Sequence, residues 1–180
     1  DMGFPLMQFY SPLFFAVVAV VNFVIPNIWI GIKLVFLVLH VLSVCVIYLY
    51  VQNLTGSKYA GLAAGFAYGF AYYRYHVIVY VNKFSMVPIF LLWPLQLYLV
   101  DRILDGAGRR RAGIGLALVT ALALMSHAFL GGYSTIFSAM YGLIRLLTLR
   151  ETISSTREKV HAVLRMAFWF GLGVLSSLYF

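Results

Sequence analysis

The chain has 180 residues, of which 63% are apolar and only 10% are charged, and its mean hydropathy is +0.95. A soluble domain carries roughly 25% charged residues on average, so this composition excludes a water-soluble globular protein. The 13 basic residues outnumber the 5 acidic ones, but they lie in short breaks between apolar runs, as expected for loops that face anionic lipid. We therefore expect membrane lipids as partners and no nucleic acid.

The apolar residues divide into segments that repeat along the chain, most of them long enough to cross a bilayer core of about 30 Å. They cover residues 12–25, 28–52, 59–73, 87–104, 112–129, 133–149 and 160–180. The pattern predicts an all-α polytopic membrane bundle with about six spans. Because the first segment is too short for a comfortable span, we expect it to form one short re-entrant or interfacial helix before them. The chain begins at Asp1 and stops inside an apolar run at Phe180, so we expect residues 1–180 to be a single transmembrane domain fragment of a longer protein.

Orientation follows from the basic residues between the spans. The arginines at 102 and 109–111, and the basic residues at 150, 157 and 159, indicate two cytoplasmic loops. The stretch 74–85 and the turn at 126–133 then fall on the outer side. Four acidic residues lie among the basic loops, and we interpret them as solvated charge balance: Asp101, Asp105, Glu151 and Glu158.

The third segment contains Gly61, Gly65 and Gly69 at a four-residue spacing, on one face of a helix. Small residues at this spacing allow two helices to approach closely in lipid. The pattern therefore predicts a helix-packing face rather than a binding site.

Five residues are candidates for a functional site on the outer side. Arg74, His76 and Lys83 lie in an outer stretch, where cations match the oxygens of a lipid phosphate; the alternative is that they are interfacial residues snorkelling within a belt of tyrosines. His127 lies at the end of the fifth segment, where it could donate to a phosphate or sugar hydroxyl, or simply bridge two helices. Asp1 is the one acidic residue that could face the outer side.

No metal ligands are assigned, because the chain has no His/Cys cluster with zinc spacing. The single Cys45 excludes an intrachain disulfide. The sequence indicates no particular cofactor.

The order of several short motifs resembles that of GT-C membrane glycosyltransferases. The run 1–13 (DMGFPLMQFYSPL) is similar to their Tyr-Pro-Pro-Leu stretch, and 49–64 (LYVQNLTGSKYAGLAA) is similar to a cytoplasmic turn followed by a small-residue helix. The region 67–95 is similar to their next outer loop and helix, and Ser126-His127 matches a Ser-His pair that often ends the following helix. The closest likeness, over residues 1–147, is the bacterial membrane family known as 6-pyruvoyl-tetrahydropterin synthase-related.

The resemblance implies transfer of a sugar from a polyprenyl-phosphate donor on the outer face of the bacterial inner membrane. It implies that Asp1 stands in for the catalytic carboxylate of those enzymes. Arg74, His76 and Lys83 would contact the donor phosphate, with His127 close to the same cavity. The alternative hypothesis is a non-catalytic membrane subunit that scaffolds a larger complex, for example an energy-transducing one, with other membrane subunits as partners.

Overall fold

The computed structural model describes residues 12–76, 83–105, 109–148 and 156–178. Of these residues 91% are helical and none lies in a strand, which confirms the all-α prediction. The helices are α1 (Leu13–Val24), α2 (Ile28–Thr55), α3 (Lys58–Gly69), α4 (Tyr72–Tyr75), α5 (Ile89–Leu104), α6 (Arg109–Ser126), α7 (Ala128–Thr148) and α8 (Thr156–Ser177). A 3₁₀ turn, Phe84–Met86, precedes α5.

Within the described residues, three helical stretches are long and apolar enough to cross a membrane, fewer than the six or so that the sequence predicts. They are Ile28–Thr55, Phe84–Leu104 and Thr156–Ser177. Helix α3 has only 12 residues, about 18 Å of helix at 1.5 Å per residue, which is shorter than a bilayer core. Helix α6 starts with three arginines, and α7 carries serines, threonines and glycines that lower its mean hydropathy. Helix α1, also 12 residues long, is as short as predicted.

Contacts between neighbouring helices set their directions. Gly61 lies against Tyr48 and Gly69 against Val44, so α3 runs antiparallel to α2. Leu99 of α5 lies against Gly115 of α6. Gln96, which comes earlier in α5, bonds to Thr120, which comes later in α6, so these two helices are antiparallel as well. The turn between α6 and α7 reverses the chain again.

Helix α8 runs parallel to α6, since Trp169 packs on Gly113 and Gly173 packs on Ala117. The bundle consequently has two distinct ends. The end of α3, the start of α5 and the α6–α7 turn lie at one of them, called here the α6–α7 end. The start of α6, the end of α7 and the start of α8 lie at the other, called here the arginine end.

The glycine face of α3 packs on α2, as the sequence predicts. All three glycines are buried. A Cβ atom on Gly61 would lie 2.8 Å from the carbonyl oxygen of Tyr48, and one on Gly65 would lie 3.3 Å from that of Val44. Only a residue without a side chain permits this backbone approach, so the glycines bring α2 and α3 together.

A buried glutamine joins three helices in the middle of the bundle. Gln96 of α5 is fully buried and donates to Thr120 Oγ1 of α6 and to Thr135 Oγ1 of α7, both at 3.3 Å. Ser138 Oγ donates back to Gln96 Oε1 at 3.2 Å. Because the surroundings are apolar, this network satisfies the amide and ties α5, α6 and α7 together.

One acidic residue differs from its sequence interpretation. Asp101 is fully buried, accepts a hydrogen bond from Tyr141 Oη at 2.9 Å and forms an ion pair with Arg145 at 3.1 Å. The interpretation of Asp101 as a solvated loop residue is therefore wrong, because α5 extends past it and turns its side chain towards α7. Asp105 and Glu158 are exposed, and Glu151 lies outside the described residues.

Candidate functional site

The structure places four of the five predicted site residues at the α6–α7 end. Arg74 belongs to α4 and His76 follows it directly, while Lys83 precedes the 3₁₀ turn and His127 links α6 to α7. Asp1 lies outside the described residues. Arg74, His76, Lys83 and His127 thus share one end of the bundle, although their surroundings differ.

Arg74 points into the bundle rather than towards its surface. Its side chain is only 4% exposed. Nη1 donates to the carbonyl oxygen of Tyr68 at 3.1 Å, and Nη2 donates to Ser43 Oγ at 2.6 Å. The guanidinium carbon also lies 4.5 Å from the ring centroid of Tyr68 and 5.1 Å from that of Phe90. Arg74 does not snorkel, because aromatic rings and neutral acceptors hold its charge inside.

The charge of Arg74 has no carboxylate counter-ion among the residues that the structure describes. The ion pair found there joins Asp101 to Arg145 instead. In addition, Nε of Arg74 is buried and has no hydrogen-bond partner. Burying an unpaired guanidinium is costly, and its planar N–H groups match phosphate and carboxylate oxygens. The position therefore suits an anion.

A cleft of about 530 Å³ opens beside Arg74. Its walls come from the end of α3, from α4, α5 and the first turns of α7. They are mostly apolar and aromatic, including Tyr73, Trp93, Tyr133 and Phe137. An arginine on the wall of an aromatic cleft fits a molecule with an anionic group attached to an apolar chain or to a ring that stacks on aromatic side chains.

His127 and Lys83 lie close enough to influence each other electrostatically. Burial lowers the pKa of His127 below its ordinary value, and the positive charge of Lys83 lowers the pKa further. The backbone N–H of Leu130 donates to His127 Nδ1 at 3.3 Å, which caps the start of α7. This bond needs an unprotonated Nδ1, so the neutral ring carries its proton on Nε2. Leu130 itself lines the cleft beside Arg74.

His76 packs on its own helical turn. Its Nδ1 lies 3.4 Å from Tyr72 Oη, and the two rings are 5.7 Å apart. Of the three residues predicted to contact the donor phosphate, Arg74 lines the cleft, whereas His76 and Lys83 do not.

Several residues of this site could not be found by sequence reasoning alone. Ser43, which accepts from Arg74, lies 31 positions earlier in α2, and the one available signal is a hydroxyl inside an apolar run. The walls contributed by Trp93 and Phe137 look in sequence like ordinary lipid-facing aromatics. Their role depends on how α5 and α7 pack.

No family model, curated protein or solved structure matches this chain. The described residues form an all-helical structure in which three helices are long and apolar enough to cross a membrane. An arginine with no acidic partner among the described residues lies on the wall of an aromatic cleft at one end of the bundle.

Proposed function

We propose that this chain holds a phosphate-linked lipid in the cleft beside Arg74, and that it belongs to an enzyme that transfers sugar from such a lipid, as the GT-C resemblance implies. The observation that carries the proposal is Arg74, a residue only 4% exposed, whose Nε is buried without a partner at the wall of a 530 Å³ aromatic cleft. In this proposal about six segments cross the bacterial inner membrane, with the α6–α7 end on the outer side.

The lining of the cleft supports a polyprenyl-phosphate donor as the ligand. The guanidinium of Arg74 would face a phosphate oxygen, while Trp93 and Phe137 would pack against the apolar chain or the sugar face. Lys83 and the Nε2–H of neutral His127 would add positive charge and a donor near the same end. Asp1 remains the proposed base for the acceptor hydroxyl, a role that typically contributes about 10²–10⁴-fold to the rate.

The alternative, a scaffolding subunit, rests partly on the glycine face of α3. That face already packs on α2 within the same chain, so the glycine spacing is explained without a second subunit. No other contact of the described residues favours scaffolding over lipid binding, and we keep the enzyme as the proposed function.

The experiment compares binding of polyprenyl phosphate with binding of the uncharged polyprenol to the purified chain in detergent. We expect the parent to prefer the phosphate and Arg74→Gln to lose that preference by about 10- to 100-fold, the equivalent of one charge-assisted hydrogen bond. Lys58→Gln removes the same charge at the opposite end of α3, where Lys58 lies over Tyr59, and should bind as the parent does.

A second variant tests the cleft while retaining Arg74, in case Arg74→Gln does not fold. Ala71 lines the cleft and is not a hydrogen-bond partner of the Arg74 guanidinium, so Ala71→Trp should obstruct the cleft and weaken binding of both the phosphate and the alcohol. If Arg74→Gln is folded and still prefers the phosphate as strongly as the parent, the cleft is not the phosphate site and the proposal is wrong.

A further inference from the structure

A second cleft lies at the arginine end of the bundle, between α6 and α8. Its volume is about 560 Å³. Arg109 and Arg110 from the start of α6 line it together with Arg165 of α8. The rest of its lining is apolar and comes from α8, including Phe168 and Trp169. Among the described residues, no acidic side chain lines this cleft.

The three arginines lie at one level of the bundle. Trp169 packs on Gly113, and α6 and α8 run parallel. Arg165 precedes Trp169 by four residues and Arg109 precedes Gly113 by four, so the two arginines lie side by side. Phe168 lies about one turn deeper, where it is 60% exposed. The cleft therefore has a cationic rim above an aromatic wall that faces outward.

The cationic rim is not neutralised by ion pairs within the described part of the chain. The carboxylates of Asp105 and Glu158 line a neighbouring pocket of about 240 Å³, together with Arg109, Arg165 and His161. Neither acid forms an ion pair with an arginine of the rim. The ion pair found among the described residues joins Asp101 to Arg145. Like charges on two helices are thus gathered at a place where an anion would reduce their repulsion.

We infer that this cleft is a binding site for one anionic phospholipid of the leaflet at the arginine end. The phosphate would lie between Arg110 and Arg165, and an acyl chain would follow the outward face of Phe168 and Trp169. Basic clefts between membrane helices at the level of the head groups bind anionic lipids in this way. The apolar wall distinguishes the site from a simple cationic patch, because it requires a head group with chains attached.

The test is native mass spectrometry of the purified chain in detergent, titrated with phosphatidylglycerol and, separately, with phosphatidylcholine. The parent should bind its first phosphatidylglycerol at least 10-fold more tightly than phosphatidylcholine. Each arginine is worth about fivefold in binding an anionic lipid, so in the variant Arg110→Gln/Arg165→Gln we expect the preference for phosphatidylglycerol to disappear. The matched control is Arg157→Gln/Lys159→Gln, which removes two charges from the same end of α8 but outside the cleft, and it should keep the parent preference.

Two further measurements separate a lost site from a lost fold and from a free-anion site. The charge-retaining variant Arg110→Lys/Arg165→Lys should keep most of the preference, and inorganic phosphate should not displace the lipid. Equal losses in the two double Gln variants would show a diffuse charge effect, and displacement by inorganic phosphate would show a site for free anions. Either result overturns the inference, as does a parent with no preference.

Discussion

Replacing Asp101 by Asn should destabilise the bundle more than neutralising any other single acidic residue described at the arginine end. The carboxylate is fully buried and accepts from Tyr141 Oη at 2.9 Å and from Arg145 Nε at 3.1 Å. Asn keeps one acceptor oxygen for Tyr141 but removes the charge that Arg145 faces. Breaking a buried ion pair typically costs about 3–5 kcal/mol.

The expected cost here is lower, about 2–3 kcal/mol. The side chain of Arg145 is 25% exposed, so after the substitution it can extend towards the lipid head groups rather than remain buried and unpaired. The remaining loss is one charge-assisted hydrogen bond, at about 1.5–3 kcal/mol. The free energy of unfolding is measured by raising the SDS fraction of mixed micelles.

Asp105→Asn is the matched control, because Asp105 is exposed one turn further along and its substitution should cost less than about 0.5 kcal/mol. A double-mutant cycle of Asp101→Asn with Arg145→Gln should show a coupling free energy of at least about 1 kcal/mol. If Asp101→Asn costs no more than Asp105→Asn, or if the coupling is zero, the ion pair does not stabilise the bundle and the reasoning fails.

Three further changes test the packing and the electrostatics. Gly131→Ala should destabilise the protein by about 1–3 kcal/mol, because its Cβ would overlap the backbone of α6, whereas Gly132→Ala meets nothing within 4 Å and should be neutral or slightly stabilising in the same unfolding assay. Gln96→Leu removes three hydrogen bonds to α6 and α7 and should cost about 2 kcal/mol at about 0.6 kcal/mol per bond; an unchanged unfolding midpoint would contradict this. Lys83→Gln should raise the pKa of His127 towards 6.5, measured by NMR titration of the ring. In the parent the lowered pKa means that the native state binds fewer protons than the unfolded one. The contribution of His127 to stability is therefore complete above pH 6.5 and is lost as the pH falls through the folded pKa. A His127 pKa that Lys83→Gln leaves unchanged would show that the two side chains are not coupled.

Much of the fold could be predicted from the amino-acid pattern because lipid imposes simple requirements on a chain. A backbone in hydrocarbon must satisfy its own hydrogen bonds, so long apolar runs predict helices. The glycine spacing in α3 predicted the close approach to α2, since a missing side chain is visible in any sequence. The short length of α1 could likewise be predicted from the sequence.

The number of spans was harder to predict. Segments 112–129 and 133–149 are apolar enough to suggest spans, but in the structure α6 begins earlier, with three arginines at 109–111, and α7 begins earlier as well, with two glycines in its first turns. The hydropathy of a helix depends on where it begins and ends, and those bounds are set by tertiary contacts and caps rather than by composition.

The sequence by itself determined the class of protein, the helical fold and the gathering of basic residues between apolar runs, because each of these follows from the transfer of side chains between water and lipid. The tertiary structure alone decided which polar side chains face inward. Arg74 reaches Ser43 across 31 residues and Asp101 reaches Arg145 across 44. A charged residue at the end of an apolar run is solvated or buried according to the helix that packs beside it, and no local pattern contains that partner.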